Sequence, residues 1–210
     1  MDSYKVKEIY YTLQGEGAQT GRPAVFLRFT GCNLWSGREE DRANAICAFC
    51  DTDFFGTDGV LGGRYTAEEV AVLVASLWPK HLGRPYVVCT GGEPLLQLDK
   101  PLIDAIHDKG FEIGLETNGT ISLPQGIDWI CVSPKANTEV VVRKGHELKL
   151  VVRQKNWDPV LFQTWDFEHF YLQPMDGPQL KDHTKWAIRY CLAHPQWKLS
   201  VQTHKLLGIP

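Results

Sequence analysis

The chain has 210 residues, 43% of them hydrophobic, and a formal net charge of −3. That length suits one α/β domain with a sizeable core, and the slight negative charge sets up no field that would recruit nucleic acid or an anionic membrane. No apolar stretch approaches the roughly 20 residues that span a bilayer, and Met1-Asp2-Ser3-Tyr4-Lys5 leads into no apolar leader, so the expected location is the cytoplasm.

In chain order, Tyr11-Thr12-Leu13-Gln14-Gly15-Glu16-Gly17 reads as a flexible polar stretch before the first strand, Ala24 to Phe29. Thr66-Ala67-Glu68-Glu69 has capping-box spacing and opens an apolar helix through Val70, Leu73, Val74 and Leu77. Tyr86 to Cys89 is a short apolar run before a glycine pair and reads as a buried strand. Asp99 caps the next helix, with Pro101 in its first turn and Gly110 past its end. Further strands are expected at Phe111 to Leu115, Trp129 to Val132, Leu148 to Val152 and Phe170 to Leu172. An amphipathic helix from about Thr184 to Leu192 and a strand at Leu199-Ser200-Val201 complete the series. Polar or glycine-rich residues follow the strand ends at Cys32, Thr90, Thr117, Ser133, Gln173 and Thr203, where parallel α/β folds build their sites. About six parallel strands are too few for a closed eight-fold barrel, so the expected fold is an open, partial βα barrel in a single domain, 1–210. A loop at about 33–46 would be inserted in it, and a tail, 202–210, would close the site.

Three cysteines, Cys32, Cys47 and Cys50, stand at C-x14-C-x2-C spacing without a fourth. Thiolates are soft ligands that suit an iron–sulfur cluster or zinc. Three on a cubane leave one iron open, whereas structural zinc needs a fourth ligand, for which His81 or Asp51 is available. Unliganded structural cysteines are the plain alternative. Cys89, Cys131 and Cys191 lie in apolar runs and read as small buried hydrophobes. The glycines of Thr90-Gly91-Gly92-Glu93-Pro94 allow close backbone approach and Glu93 offers a carboxylate to an ammonium group, although a tight turn explains the same residues. Arg28 interrupts an apolar strand, which calls for an anionic substrate group or a buried ion pair unless the strand edge faces solvent. Gln14 offers donors and acceptors to an amide-like heterocycle edge, or is an ordinary loop residue.

These motifs occur together with Gly31-Cys32-Asn33-Leu34, Phe49-Cys50-Asp51-Thr52, Glu116-Thr117-Asn118-Gly119, Ser133-Pro134-Lys135, Leu172-Gln173-Pro174-Met175-Asp176 and Gln202-Thr203-His204-Lys205. Over nearly the whole chain the set resembles the 7-carboxy-7-deazaguanine synthase family of radical S-adenosylmethionine enzymes. One departure is the first cysteine gap, 14 residues here where the superfamily usually has three, so the Trp35 to Ile46 segment must loop out and bring Cys47 back.

The resemblance implies a 4Fe–4S cluster on Cys32, Cys47 and Cys50, S-adenosylmethionine, and Mg²⁺ on Thr52. It implies hydrogen abstraction from 6-carboxy-5,6,7,8-tetrahydropterin, then ring contraction and loss of ammonia to 7-carboxy-7-deazaguanine, with no protein side chain as the radical catalyst. By the same match, Phe49, Cys50, Asp51, Gly92, Glu93, Ser133, Pro134, Lys135, Gln173, Pro174, Met175 and Asp176 would hold the cofactor. Thr12, Leu13, Gln14, Glu16, Arg28, Thr90, His204 and the carboxylate of Pro210 would meet the substrate. The implied partners are the small-molecule pterin, a flavodoxin- or ferredoxin-like electron donor and a second copy in a homodimer. Two rival readings share part of this pattern: an activase that places a radical on a partner protein's glycine, and a zinc-stabilised binding module.

Overall fold

The computed structural model describes residues 3–80, 83–155 and 157–210; His81 lies outside them. Its centre is one nine-stranded sheet in the order β3-β1-β2-β4-β5-β6-β7-β8-β9. The strands are β1 (Tyr4–Leu13), β2 (Pro23–Phe29), β3 (Gly63–Tyr65), β4 (Tyr86–Gly91), β5 (Glu112–Thr117), β6 (Trp129–Val132), β7 (Lys144–Val152), β8 (Asp166–Pro174) and β9 (Trp197–Leu199). From β2 through β9, leaving out β3, seven strands run parallel, while β1 pairs antiparallel with both β2 and β3. The sheet is mostly parallel and open, as expected, and its seven parallel strands each overlap one of the runs named from the sequence.

The first correction concerns the N-terminus. The stretch read as loop from Tyr11 is the end of a ten-residue strand, β1. Its register slips between Val6 and Glu8, and that bulge puts both Val6 and Lys7 inside, breaking the period-2 pattern that betrays a strand. β3, three residues long, is likewise absent from the sequence reading.

The helices are α1 (Ala67–Leu77), α2 (Lys100–Asp108), α3 (Leu180–Ala193) and a single turn, α4 (Thr203–Leu207). Thr66 and Glu69 form the full reciprocal capping box on α1. Asp99 caps α2 by accepting from the Leu102 N–H, and Pro101 lies in its first turn. α3 begins four residues before the expected Thr184. The β5–β6 and β6–β7 crossovers are loops, so the helical layer is interrupted in the middle.

Alternation along the strands sorts the residues into two faces. Val25, Leu27, Phe29, Val87, Cys89, Ile113 and Leu115 pack beneath α1 and α2 in one core. Val132, Leu148, Leu150, Val152 and Leu172 form a second core with Ala187 of α3 and Trp197. The opposite face presents Arg28, Thr90, Glu116, Lys149 and Gln173. Glu16, just after β1, reaches Lys149 on β7 at 2.6 Å, so the sheet curls far enough for its two halves to meet across this polar face.

Candidate active site

A cavity of about 340 Å³ opens where the parallel strands end. Its walls come from three stretches that the chain folds together: the cysteine loop, the strand ends and the C-terminal tail.

The cysteine loop leaves β2 through Gly31. The Leu34 carbonyl accepts from the N–H groups of Ile46 (3.1 Å) and Cys47 (3.4 Å), so the long segment between the first two cysteines closes on itself and returns Cys47 beside its start. Cys32, Cys47 and Cys50 all line the cavity. The Leu34 N–H points at the Cys32 sulfur, 3.4 Å away. A hydrogen bond from Cys47 holds the Cys50 thiol down at about 6 and pushes Cys47 up. Three soft donors on one wall fit a cluster with an open iron; Cys50 is the one already favoured as a thiolate, while burial pushes Cys32 up. Among the described residues, no three His, Cys, Asp or Glu side chains converge on a single ion, which is the arrangement that zinc would need. Asp51, the described alternative ligand, is already paired with Lys205 at 2.6 Å and accepts from Gln202 at 2.9 Å.

The turn after β4 meets this loop directly. A side chain at Gly92 would strike the Gly31 carbonyl and the Cys32 Cβ, so the glycine is required by backbone packed on backbone. Glu93 is fully buried and does not line the cavity. Its carboxylate accepts from the Leu95 N–H (3.0 Å), the Thr117 hydroxyl (2.8 Å) and the Asn118 N–H (2.8 Å). Burial pushes its pKa up, though these donors work against the shift. The side chain thus ties the β4 turn to the end of β5, and what the turn offers the cavity is Gly91 and Gly92. Pro134 also sits behind the wall, buried, its carbonyl accepting from Gln154. Thr12 stands outside the cavity and donates to a carboxylate oxygen of Pro210 at 3.0 Å. The remaining expected residues all line it: Leu13, Gln14, Glu16, Arg28, Phe49, Cys50, Asp51, Thr52, Thr90, Gly92, Ser133, Lys135, Gln173, Pro174, Met175, Asp176, His204 and Pro210.

At the inner end, charged groups interlock. Lys149 bonds Glu16 at 2.6 Å and Glu116 at 3.3 Å, and the Gln14 amide donates to Glu116 at 3.0 Å. Burial would raise Glu16, but the Lys149 ammonium outweighs it and holds the carboxyl below its ordinary value. Burial would likewise lower Lys149, and Glu116 and Glu16 drive it well up instead. Arg28 is an ion-paired residue: it donates to Glu8 at 2.8 Å and to the Tyr10 hydroxyl at 2.8 Å while still facing the cavity. Glu8, Tyr10, Glu116 and Lys149 are site residues that sequence reasoning did not assign. The signal for Lys149 and Glu116 was the one used for Arg28, a charge in or closing an apolar strand.

The tail contributes Gln202, His204, Lys205 and Pro210 to the cavity wall. Thr203 donates its N–H and its hydroxyl to the Gly15 carbonyl, both at 2.9 Å, and Lys205 bridges Asp51 (2.6 Å) and Asp176 (2.5 Å). His204 packs against Gly15 so closely that a methyl group there would meet the imidazole.

An open, mostly parallel barrel with three lone cysteines at its mouth defines a radical S-adenosylmethionine enzyme, and the model of the Radical SAM superfamily matches residues 41–161. The chain is 64% identical over 208 residues to the 7-carboxy-7-deazaguanine synthase of Bradyrhizobium diazoefficiens, covering 99% of each. It is 61% identical over 209 residues to that of Caulobacter vibrioides, covering 99% of this chain and all of the other. The crystal structure of QueE from Escherichia coli superposes with a TM-score of 0.71 at 29% identity, over 95% of this chain and 94% of that one. The chain belongs to the 7-carboxy-7-deazaguanine synthase family. As a radical S-adenosylmethionine enzyme it uses a 4Fe–4S cluster and S-adenosylmethionine.

Proposed function

We propose that this enzyme converts 6-carboxy-5,6,7,8-tetrahydropterin to 7-carboxy-7-deazaguanine, with Cys32, Cys47 and Cys50 as the cluster ligands. The observation that carries the reading is one cavity with three thiols at its mouth and the Gln14–Glu116–Lys149–Glu16 network at its inner end. Bound, the cluster and cofactor supply one-electron cleavage of a sulfonium and a carbon radical that removes a substrate hydrogen.

The chain's own residues do the placing. Gly92, Ser133, Lys135 and the Gln173 to Asp176 stretch hold the cofactor along the strand ends. Glu93 serves from behind by fixing the turn. Lys135 curls back on the Ser133 hydroxyl at 2.7 Å, presenting its charge at the wall. Glu16, kept ionised by Lys149, and Glu116 beside it accept from the ring N–H groups of a pterin, and Gln14 supplies a matching amide. Arg28 and Thr90, side by side in the β2–β4 register, meet the substrate carboxylate. Thr52 and substrate oxygens hold Mg²⁺, which keeps part of its water shell. The tail, with His204 and Pro210, excludes water once substrate is in place.

A flavodoxin- or ferredoxin-like donor supplies the electron. A homodimer covers part of the exposed Leu180, Ile188 and Leu192 of α3 beside β9, which ends the sheet. Among the described residues no helix is long and apolar enough to cross a membrane, in keeping with cytoplasmic work on a soluble substrate. A cavity of this size under a tail admits a small molecule more readily than a protein loop carrying a glycine, which weighs against the activase.

Anaerobic reconstitution with iron and sulfide, then incubation with the pterin, S-adenosylmethionine and reductant, tests the reading. The expected result is 5′-deoxyadenosine together with the deazapurine by mass. 5′-Deoxyadenosine without a deazapurine would refute the substrate assignment. Cys47→Ala should abolish both.

A further inference from the structure

The segment between the first two cysteines is more than a detour. It carries a short run of 3₁₀ turns, Glu39–Asn44, whose one basic residue in the last turn is Arg42. The Arg42 Nη1 donates to the carbonyls of Ala48 and Cys50, 2.9 Å each, so one guanidinium spans the backbone of the Cys47–Cys50 turn. Its Nε is held by Glu39 at 2.7 Å. Its planar face lies 4.1 Å over the Trp35 ring. Trp35 is itself buried, edge-on to Phe54, and donates its indole N–H to the Arg38 carbonyl. Arg42 is therefore pre-set by an acid, an aromatic face and two carbonyls, all within the segment and the turn it closes on.

We propose that Arg42 is a positioning residue for the iron–sulfur cluster, clamping the Cys47–Cys50 turn through its carbonyls and favouring the reduced cluster by the fixed positive charge it places there. The inference rests on the three-cysteine reading of the site. Three thiolates on a 4Fe–4S core leave it anionic, and a further electron adds to that charge. A cation at the ligand backbone stabilises the more negative state, and hydrogen bonding and charge around a cluster are recognised determinants of its potential. The insertion then compensates, within its own length, for the looseness that a 14-residue gap would otherwise bring to Cys47. The clamp needs two properties at once: a planar fork whose Nε holds Glu39 while its Nη1 serves both carbonyls, and a charge that does not titrate. Arginine combines both.

The test is redox titration and electron paramagnetic resonance of the reconstituted, full-length protein as wild type, Arg42→Gln and Arg42→Lys. Gln keeps a donor and loses the charge. The ratio of reduced to oxidised cluster in Arg42→Gln at a fixed solution potential is expected to fall about tenfold, equivalent to a midpoint about 59 mV more negative for one electron. Arg42→Lys keeps the charge and should return most of that shift, while losing iron to a chelator faster than wild type because one ammonium replaces the fork poorly. A midpoint and g-values in Arg42→Gln equal to wild type would overturn the proposal, whatever the variant's iron content. A wild-type protein that takes up no cluster would overturn the site reading beneath it, a result that the wild-type arm alone reveals.

Discussion

Replacing Lys149 by Met removes the cation at the centre of the inner network. The Lys149 side chain is 4% exposed, and its partners Glu16 and Glu116 are 14% and 24% exposed, so the pair lies largely out of water. Breaking a buried ion pair from one side costs about 3–5 kcal/mol, because the remaining charge is left uncompensated. Two carboxylates remain here, but Glu116 keeps some water and a bond from Gln14. A loss of about 3 kcal/mol near neutral pH is therefore expected.

The pH dependence is the sharper test. In the wild type Glu16 is held below its unfolded value, so its pairing stabilises the fold above that value and the benefit disappears as pH falls through the folded pKa. In the variant, burial is opposed only by the Gln202 hydrogen bond and raises Glu16, so the variant loses stability as pH rises from the unfolded value, about 4.3, to the raised one. The gap between the two proteins should be widest near neutrality and narrow on acidification. Urea unfolding of the cofactor-free proteins, followed by tryptophan fluorescence across that range, measures it. A gap below about 1 kcal/mol, as for an exposed pair, or one that does not change with pH, would refute the reasoning.

Lys205→Ala should change global stability by less than about 1 kcal/mol, because both of its ion pairs are more than a third exposed; limited proteolysis should nevertheless cut the tail sooner, and added salt should do the same to the wild type. Gly15→Ala pushes a methyl group into His204, so KM for the pterin should rise about tenfold, roughly 1.4 kcal/mol, with the urea midpoint nearly unmoved. Thr66→Ala removes the α1 cap and should cost about 1 kcal/mol in the same unfolding assay, leaving turnover at the wild-type rate because α1 lies on the face away from the cavity.

What the sequence disclosed follows from how local each signal is. The caps on α1 and α2 involve residues three or four apart, and both were readable. The strand ends were marked by polar residues following apolar runs, and most of those residues do line the cavity. β1 was hidden because the bulge at Val6 and Glu8 buries adjacent residues, and no period-2 template tolerates that. Glu93 was misplaced in detail, because a carboxylate beside two glycines looks available until Thr117 and Asn118, more than twenty residues on, are seen to occupy it. Glu8 and Tyr10 gained meaning only from the antiparallel pairing that sets them beside Arg28. Lys149 carried the same signal as Arg28, a charge in an apolar strand, but its partners Glu16 and Glu116 are set by curvature of the whole sheet.

The two larger oily interiors among the described residues lie apart, one under α1 and α2 and the other against α3, and the chain between β5 and β7 builds no helix to bridge them. Along that seam the halves are joined by strand pairing, by Leu123, which packs on both interiors, and across the polar face by the Glu16–Lys149 pair and the Thr203–Gly15 bonds. The cysteines and Arg28 belong to one half; Ser133, Lys135 and Gln173 belong to the other. A small molecule lying across the mouth therefore acts as one more rivet, and saturating the enzyme should move its melting transition to higher temperature.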